Sequence, residues 1–134
     1  MKNRKGFTLV EVLATIVILS ILLMVAVPSV SKLQESSNIK QIEADAKIFV
    51  ELVRQKIESD TSINISSAED FDLEDIDINK LSSNKYNKLT SRVTASGCGY
   101  NANDVYTCNT FTVFIENDNY KAFTDSGTIK GEKK

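Results

Sequence analysis

Residues 7–30 of this 134-residue chain read FTLVEVLATIVILSILLMVAVPSV, and this stretch decides the fold. The sixteen residues that follow Glu11 carry no formal charge, and only Thr15 and Ser20 among them are polar. As a helix, residues 7–30 would be about 36 Å long, enough to cross a hydrocarbon layer of about 30 Å. The stretch therefore predicts a membrane-spanning helix.

The six residues before this stretch, MKNRKG, indicate how the helix is oriented. Lys2, Arg4 and Lys5 lie immediately before the apolar residues. Positive charge flanking a membrane helix favours the cytoplasmic side, so we expect the N-terminus inside and the rest of the chain outside. An ordinary secretory signal has its small-residue cleavage site after the apolar region, whereas Gly6 precedes it.

Glu11 is the one acid within the apolar stretch, and two interpretations stay open on physical grounds. In the first, its carboxylate reaches the head groups at the cytoplasmic face of the membrane. In the second, the carboxylate stays in the bilayer and pairs with a cation of a neighbouring chain, because an unpaired charge in hydrocarbon is costly.

The sequence GFTLVE at residues 6–11, followed by the apolar run, resembles the prepilin signature of type IV pilins and type II secretion pseudopilins. The resemblance implies that a prepilin peptidase cuts between Gly6 and Phe7 and that the new amine of Phe7 is methylated. It also implies that Glu11, as the fifth residue of the mature chain, pairs with the N-terminal amine of the adjoining subunit.

The same resemblance implies the organisation and location of the protein. It gives a cleaved leader at 1–6, a membrane and filament-core helix at 7–30, and a pilin-like head at 31–134. The chain would wait in the cytoplasmic membrane as a single-pass protein and then enter a cell-surface filament. Its partners would be other pilins in a homo-oligomeric filament, the prepilin peptidase, and the pilus or secretion assembly machinery.

Pro28 lies inside the helical pattern and has no N–H, so one carbonyl a turn earlier loses its partner. A plain kink where the helix leaves the membrane is one interpretation. The resemblance implies the other, a place where the helix bends or melts locally in a filament.

Composition excludes several classes of function. Without residues 1–6 the chain has thirteen basic and eighteen acidic residues, a formal charge of −5, which argues against nonspecific nucleic-acid binding. There is no histidine, no glycine-rich phosphate loop and no nucleophile–base set, so we expect neither an enzyme nor a cofactor or metal site.

Cys98 and Cys108 are the two cysteines, and both fall in the expected external part of the chain. The residues between them include Gly99 and several Asn and Asp, which favour turns and would let the two cysteines meet. The sequence favours a disulfide over free thiols, worth about 2–3 kcal/mol for so short a loop.

The helix is expected to continue beyond Pro28. Apolar residues recur at spacings of three and four from Ile39 to Ile57, and polar residues occupy the other face. No Gly or Pro interrupts the sequence from Val30 to Ser59, so one helix of about fifty residues is expected.

Residues 63–89 are polar and read as a loop. Ser67 to Asp70 has capping-box spacing and predicts one helical turn through Leu73. Six acids lie between Glu69 and Asp77, but the glycine and distal glutamate of an EF-hand loop are missing, so a solvated loop is favoured over a calcium site.

Lys80, Lys85, Lys88 and Arg92 form a group of cations around Tyr86. Such a group would suit DNA binding by a competence pilin, in which bases stack on an aromatic ring. The alternative, which is favoured, is a solvated face.

The C-terminal third predicts strands at 88–95, 111–115 and 120–124, with a hairpin turn at 117–119 and a mobile tail at 131–134. The expected fold is α+β, with one long N-terminal helix packed on a small antiparallel sheet as in pilins. The expected function is a structural subunit of a type IV pilus or pseudopilus. The alternative is a minor or competence pilin whose head binds DNA, a surface or a partner protein.

Overall fold

The computed structural model describes residues 6–83 and 85–134. The longest element is a 51-residue helix, α1 (Leu9–Ser59), which continues through Pro28 as the sequence predicts. It spans two compact units of the chain, which divide between Ser36 and Ser37.

The first unit contains the apolar part of α1. The most apolar eighteen residues of this helix have a mean hydropathy of 2.8, and none of them is buried. By length and composition, α1 can cross a membrane. Large apolar side chains are exposed all along this segment, with Leu19 and Leu23 exposed by 53% and 61%. Such a surface needs lipid or other helices to cover it.

The second unit is a five-stranded antiparallel sheet packed on the rest of α1. The strands are β1 (Ala68–Asp72), β2 (Arg92–Tyr100), β3 (Tyr106–Glu116), β4 (Tyr120–Asp125) and β5 (Thr128–Lys133). They lie in the order β1-β2-β3-β4-β5, so each strand pairs with the next one in the chain. A short 3-10 helix (Ile78–Lys80) lies in the connection between β1 and β2. This is the α+β layout that the sequence predicts.

The core of this unit lies between α1 and the sheet. The apolar stripe predicted on the helix is buried, with Phe49 and Val53 fully inaccessible. Each such side chain contributes about 1.5–3 kcal/mol by leaving water. The sheet supplies the opposite wall, whose buried residues are Val93, Ala95, Val113, Ile115 and Ala122.

Three predictions for the region outside the helix were wrong. Residues 68–72 form strand β1 rather than a helical turn, because Phe71 is buried opposite Val93 on β2. The first predicted strand, 88–95, starts later: residues 88–90 form a turn, and β2 begins at Arg92.

The third wrong prediction is the mobile tail at 131–134. These residues belong largely to β5, which adds to the open edge of β4. Gly131 makes this possible because its α-carbon lies against α1. A Cβ at this position would be 3.0 Å from the carbonyl oxygen of Ile39 and 2.8 Å from Cγ of Glu43. The Gly131 N–H also donates to the Glu43 carboxylate at 2.8 Å.

Candidate processing and assembly site

Gly6 and Phe7 lie in a short non-helical segment just before α1. No atom of the described residues 6–83 and 85–134 lies within 4 Å of a Cβ built at Gly6, and the Phe7 side chain is 88% exposed. The peptide bond between them therefore lies outside α1. A protease needs such a segment, because a peptide bond inside a helix must first unwind.

Glu11 lies in the first turn of α1, where it forms a reciprocal capping box with Thr8. The Thr8 N–H donates to Glu11 Oε2 at 3.0 Å, and the Glu11 N–H donates to Thr8 Oγ1 at 3.2 Å. These bonds satisfy backbone donors at the helix start, and the carboxylate also complements the positive end of the helix dipole. Glu11 is therefore not an isolated carboxylate in this structure.

Thr8 is the residue that sequence reasoning missed at this site. Thr8 and Glu11 have the Thr-x-x-Glu spacing of a capping box, which was recognised at Ser67 but not here. Cleavage after Gly6 would leave the Phe7–Thr8 peptide intact, so both capping bonds can persist in the mature chain.

The helix surface beside Phe7 is apolar and grooved. A shallow depression of about 270 Å³ is lined by Phe7, Val12, Thr15, Ile16 and Leu19. The Thr15 hydroxyl donates to the Glu11 carbonyl at 2.8 Å, so it needs no partner outside the helix. Ser20 similarly donates to the carbonyl of Ile16 at 2.7 Å. The two polar residues thus leave this part of the helix able to pack against apolar groups.

Pro28 lies well inside α1, with helical residues on both sides. The carbonyl of Met24 receives no bond from residue 28, because proline has no N–H. The hydroxyl of Ser31 donates to the Val27 carbonyl at 3.2 Å, one turn along. A weak point of the helix at Pro28 stays a prediction.

Cys98 and Cys108 form a disulfide that joins β2 to β3. The two residues are directly opposite each other in the strand pairing. The hairpin also carries an edge-to-face contact between Tyr100 and Tyr106, whose ring centroids are 5.2 Å apart. The hydroxyl of Tyr106 bonds the backbone of Ile65. The disulfide therefore closes a hairpin that is also tied to the chain leaving α1.

The acidic segment from Glu69 to Asp77 is used mainly for local capping. Asp72 accepts from the Glu74 N–H at 2.8 Å, and Asp77 caps the 3-10 helix. Asp75 forms an ion pair with Lys56 at 3.5 Å. Across residues 6–83 and 85–134, no group of three acidic, Cys or His side chains is arranged to hold a metal ion.

A buried polar cluster between α1 and the β1–β2 connection was not foreseen from the sequence. Asp45 is 1% exposed, and its carboxylate accepts from the Ser82 N–H at 3.1 Å and from the hydroxyls of Ser82 and Tyr86. Burial, and then the bond to Asp45, raise the pKa of Tyr86. The cluster fixes the connection to the helix and keeps Tyr86 buried.

Comparison with known families concerns the N-terminal segment. Residues 1–27 match the family model described as the prokaryotic N-terminal methylation motif. No curated protein and no solved structure matches the chain significantly. The match includes the exposed Gly6–Phe7 segment, the capped Glu11 and most of the apolar helix. Residues 1–27 thus carry the signature of type IV pilins and pseudopilins.

Proposed function

We propose that this protein is a structural subunit of a type IV pilus or pseudopilus. The observation that carries the proposal is the methylation motif at residues 1–27, which leads directly into an uncovered apolar helix. The second unit is a compact α+β head with a buried core. A processed apolar helix joined to a folded head is what a helical filament with an apolar centre requires.

In this proposal the leader at 1–6 is removed by a prepilin peptidase. Hydrolysis of the Gly6–Phe7 bond releases three positive charges with the leader and creates an amine at Phe7, which is then methylated. The new ammonium lies near the positive end of the α1 dipole, which disfavours it. Glu11 is the carboxylate that offsets this cost.

Assembly follows from the same two charges. An ammonium and a carboxylate that enter an apolar layer separately each cost several kcal/mol, so each gains when the two meet in one register. We propose that Glu11 of one subunit pairs with the Phe7 amine of the next. While the subunit waits in the membrane, the capping bonds with Thr8 partly satisfy the carboxylate.

The proposed location changes during this sequence. The precursor lies in the cytoplasmic membrane with its N-terminus inside, held by the 7–30 helix, and the 31–134 head lies outside. After assembly the 7–30 helices form the core of a surface filament. The partners are further pilins, the peptidase and the assembly machinery. The role is structural, with Phe7 as a substrate of other enzymes.

The decisive experiment is peptide mass spectrometry of filaments sheared from the native cell surface. We expect a peptide that begins at methylated Phe7 and dominates the fibre. A processed but scarce peptide would instead indicate a minor pilin or a pseudopilin. Recovery of uncut chains alone, beginning at Met1 and confined to the membrane, would overturn the proposal.

A mutation separates processing from assembly. We expect Glu11→Leu to be cleaved normally but to give at least about tenfold fewer filaments, because the charge pair that sets the register is lost. Ser20→Leu is the matched control, since it also replaces a polar residue of the same helix with leucine. Normal filament yield from Glu11→Leu would refute the role of this carboxylate.

The alternative of a competence pilin that binds DNA has less support. Its stacking platform would be Tyr86 among Lys80, Lys85, Lys88 and Arg92. Tyr86 is only 6% exposed and donates to the Asp45 carboxylate, so its ring is not free to stack on bases. A DNA-binding assay on the purified protein, with Lys85→Glu as the test variant, would decide the matter.

A further inference from the structure

A polar cleft lies in the second unit, between the start of its helical wall and the β3–β4 turn. Its volume is about 200 Å³, below the range of pockets that enclose drug-sized ligands, so it suits only a small ligand. Six of the side chains that line it are Asn38, Gln41, Tyr86, Asn117, Asn119 and Tyr120. The lining is thus rich in amides and tyrosines. Among the described residues that line it, none is charged.

The lining is held in place by bonds to the rest of the fold. Asn117 Oδ1 accepts from the N–H groups of Asn119 and Tyr120, at 3.0 and 2.9 Å. The Asn38 amide donates to the Tyr120 hydroxyl at 3.3 Å. Tyr86 is fixed by its bond to the buried Asp45. A site that is ordered before binding loses less entropy when a ligand arrives.

These bonds use only part of each polar group. Asn117 engages its carbonyl oxygen and keeps its amide hydrogens, whereas Asn38 and Gln41 engage their amide nitrogens and keep their oxygens. Across the described residues, the side chain of Asn119 has no hydrogen bond within the protein. The cleft therefore offers uncommitted donors and uncommitted acceptors in similar numbers.

That balance determines the chemistry of a matching ligand. An anion would need an excess of donors or positive charge, and a cation would need an excess of acceptors or negative charge. The lining has no excess of donors or of acceptors and no charged side chain. A hydroxyl group donates and accepts at once, so several adjacent hydroxyls match a mixed amide surface. The half-buried ring of Tyr120 adds apolar area for the C–H face of a sugar ring.

We propose that this cleft binds a neutral saccharide. The site would give the head a recognition function in addition to its proposed structural role. Binding needs only the folded head, so it can be measured on single subunits. Failure of saccharide binding would leave the filament proposal untouched, and failure of filament assembly would leave saccharide binding untouched.

The test uses the full-length chain in lauryldimethylamine oxide, because glycoside detergents would compete for the cleft. The protein is applied to a printed array of neutral, sulfated and sialylated glycans. Saturation-transfer NMR with the methyl glycoside of the best neutral hit then measures affinity. We expect neutral glycans to bind and the charged ones to bind more weakly.

Two isosteric variants locate the site. Asn117→Asp and Asn119→Asp each replace an amide donor with a carboxylate oxygen, and Asn117→Asp keeps the acceptor that fixes the turn. We expect each to weaken binding by about tenfold, the effect of one lost hydrogen bond. Asn103→Asp, the same change in the β2–β3 turn, should leave affinity within about twofold. Tyr120→Phe keeps the ring and should weaken binding without unfolding the head.

Three results would each overturn the proposal. The first is that no neutral glycan binds to protein whose thermal melting shows a folded head. The second is that the two cleft variants bind as well as the Asn103→Asp control. The third is that sulfated or sialylated glycans bind more tightly than their neutral parents, which would assign an anion site elsewhere on the head.

Discussion

Removal of the Asp45 carboxylate tests the structural account of the head most directly. The carboxylate is 1% exposed, lies on the buried face of α1 and accepts three hydrogen bonds from Ser82 and Tyr86. Asp45→Ala would leave the buried Tyr86 hydroxyl without an acceptor and would remove two bonds from Ser82, which is exposed to water. The stranded Tyr86 donor costs about 1–3 kcal/mol, and each lost bond from Ser82 costs about 1 kcal/mol.

The net effect is smaller than the sum of these losses. Deleting a buried charge also recovers part of its desolvation cost, because the unfolded state solvates the carboxylate well. We therefore expect Asp45→Ala to lower the free energy of unfolding of the head by about 3 kcal/mol. A small domain has only about 5–15 kcal/mol, so a loss of this size is large. Tyr86→Phe should cost about 1–2 kcal/mol, since it removes one bond to the buried carboxylate while Ser82 still donates to both carboxylate oxygens.

The assay is urea unfolding of the full-length chain in detergent, followed by near-ultraviolet circular dichroism. The chain has four tyrosines and no tryptophan, so this signal reports tertiary packing around tyrosines of the head. Far-ultraviolet dichroism is unsuitable, because the apolar half of α1 can stay helical in the micelle after the head unfolds.

The control is Glu69→Ala, which removes an exposed carboxylate from β1 and should change stability by less than about 0.5 kcal/mol. A double-mutant cycle between Asp45→Ala and Tyr86→Phe should give a coupling energy of about 1–2 kcal/mol. Either a loss below about 1 kcal/mol for Asp45→Ala or strict additivity in the cycle would show that the cluster is not a stabilising contact.

Three further predictions test other parts of the head. Gly131→Ala should destabilise the head by about 1–3 kcal/mol, because the new methyl group meets α1. Gly99→Ala should be tolerated, since no atom of the described residues lies within 4 Å of a Cβ built there. Equal urea midpoints for the two variants would refute this. Replacement of Cys98 and Cys108 by serine should cost about 2–3 kcal/mol in the same titration, and unchanged stability would contradict the loop-closure argument. The fold raises the pKa of the Tyr86 hydroxyl, so ionisation of Tyr86 is penalised in the folded state. The stabilisation that Tyr86 gives the head is therefore complete at a pH below the ordinary tyrosine pKa of 10.0 and declines as the pH rises above it. Tyr86→Phe should therefore show a shallower loss of stability above pH 10.0 than the parent protein, and parallel curves would disprove the assignment.

Patterns along the chain were sufficient to predict α1 and part of the sheet. Both halves of α1 could be read from neighbouring residues. The apolar run after Glu11 indicates a helix that is apolar on all sides, and the spacing of three and four from Ile39 to Ile57 places those side chains on one face of the helix. β4 was predicted for a related reason, because alternating residues follow a turn-forming Asn-Asp-Asn segment. The helix end at Ser59 was also predictable, since the apolar spacing stops there.

The two edge strands were predicted poorly because each depends on contacts with remote parts of the chain, β1 with β2 and β5 with α1. The segment Ala68–Asp72 is acidic and has a capping-box spacing, yet it forms β1 because the open edge of β2 and the pocket around Phe71 stabilise it. The sequence of the C-terminal residues around Gly131 predicts a mobile tail. They form β5 because β4 offers hydrogen bonds and a residue without a Cβ fits against α1.

The sequence by itself determined the methylation motif, the uncharged helix that follows it and the long helical wall of the head. These depend on spacing and hydropathy, which are properties of neighbouring residues. Only the tertiary structure decided the burial of Asp45, the polar cleft around Asn117 and the strand register that sets Cys98 opposite Cys108, whose disulfide the sequence already favoured. Each of these brings together groups that are remote in sequence or in separate strands, and it is packing of the sheet on α1 that sets which of them meet.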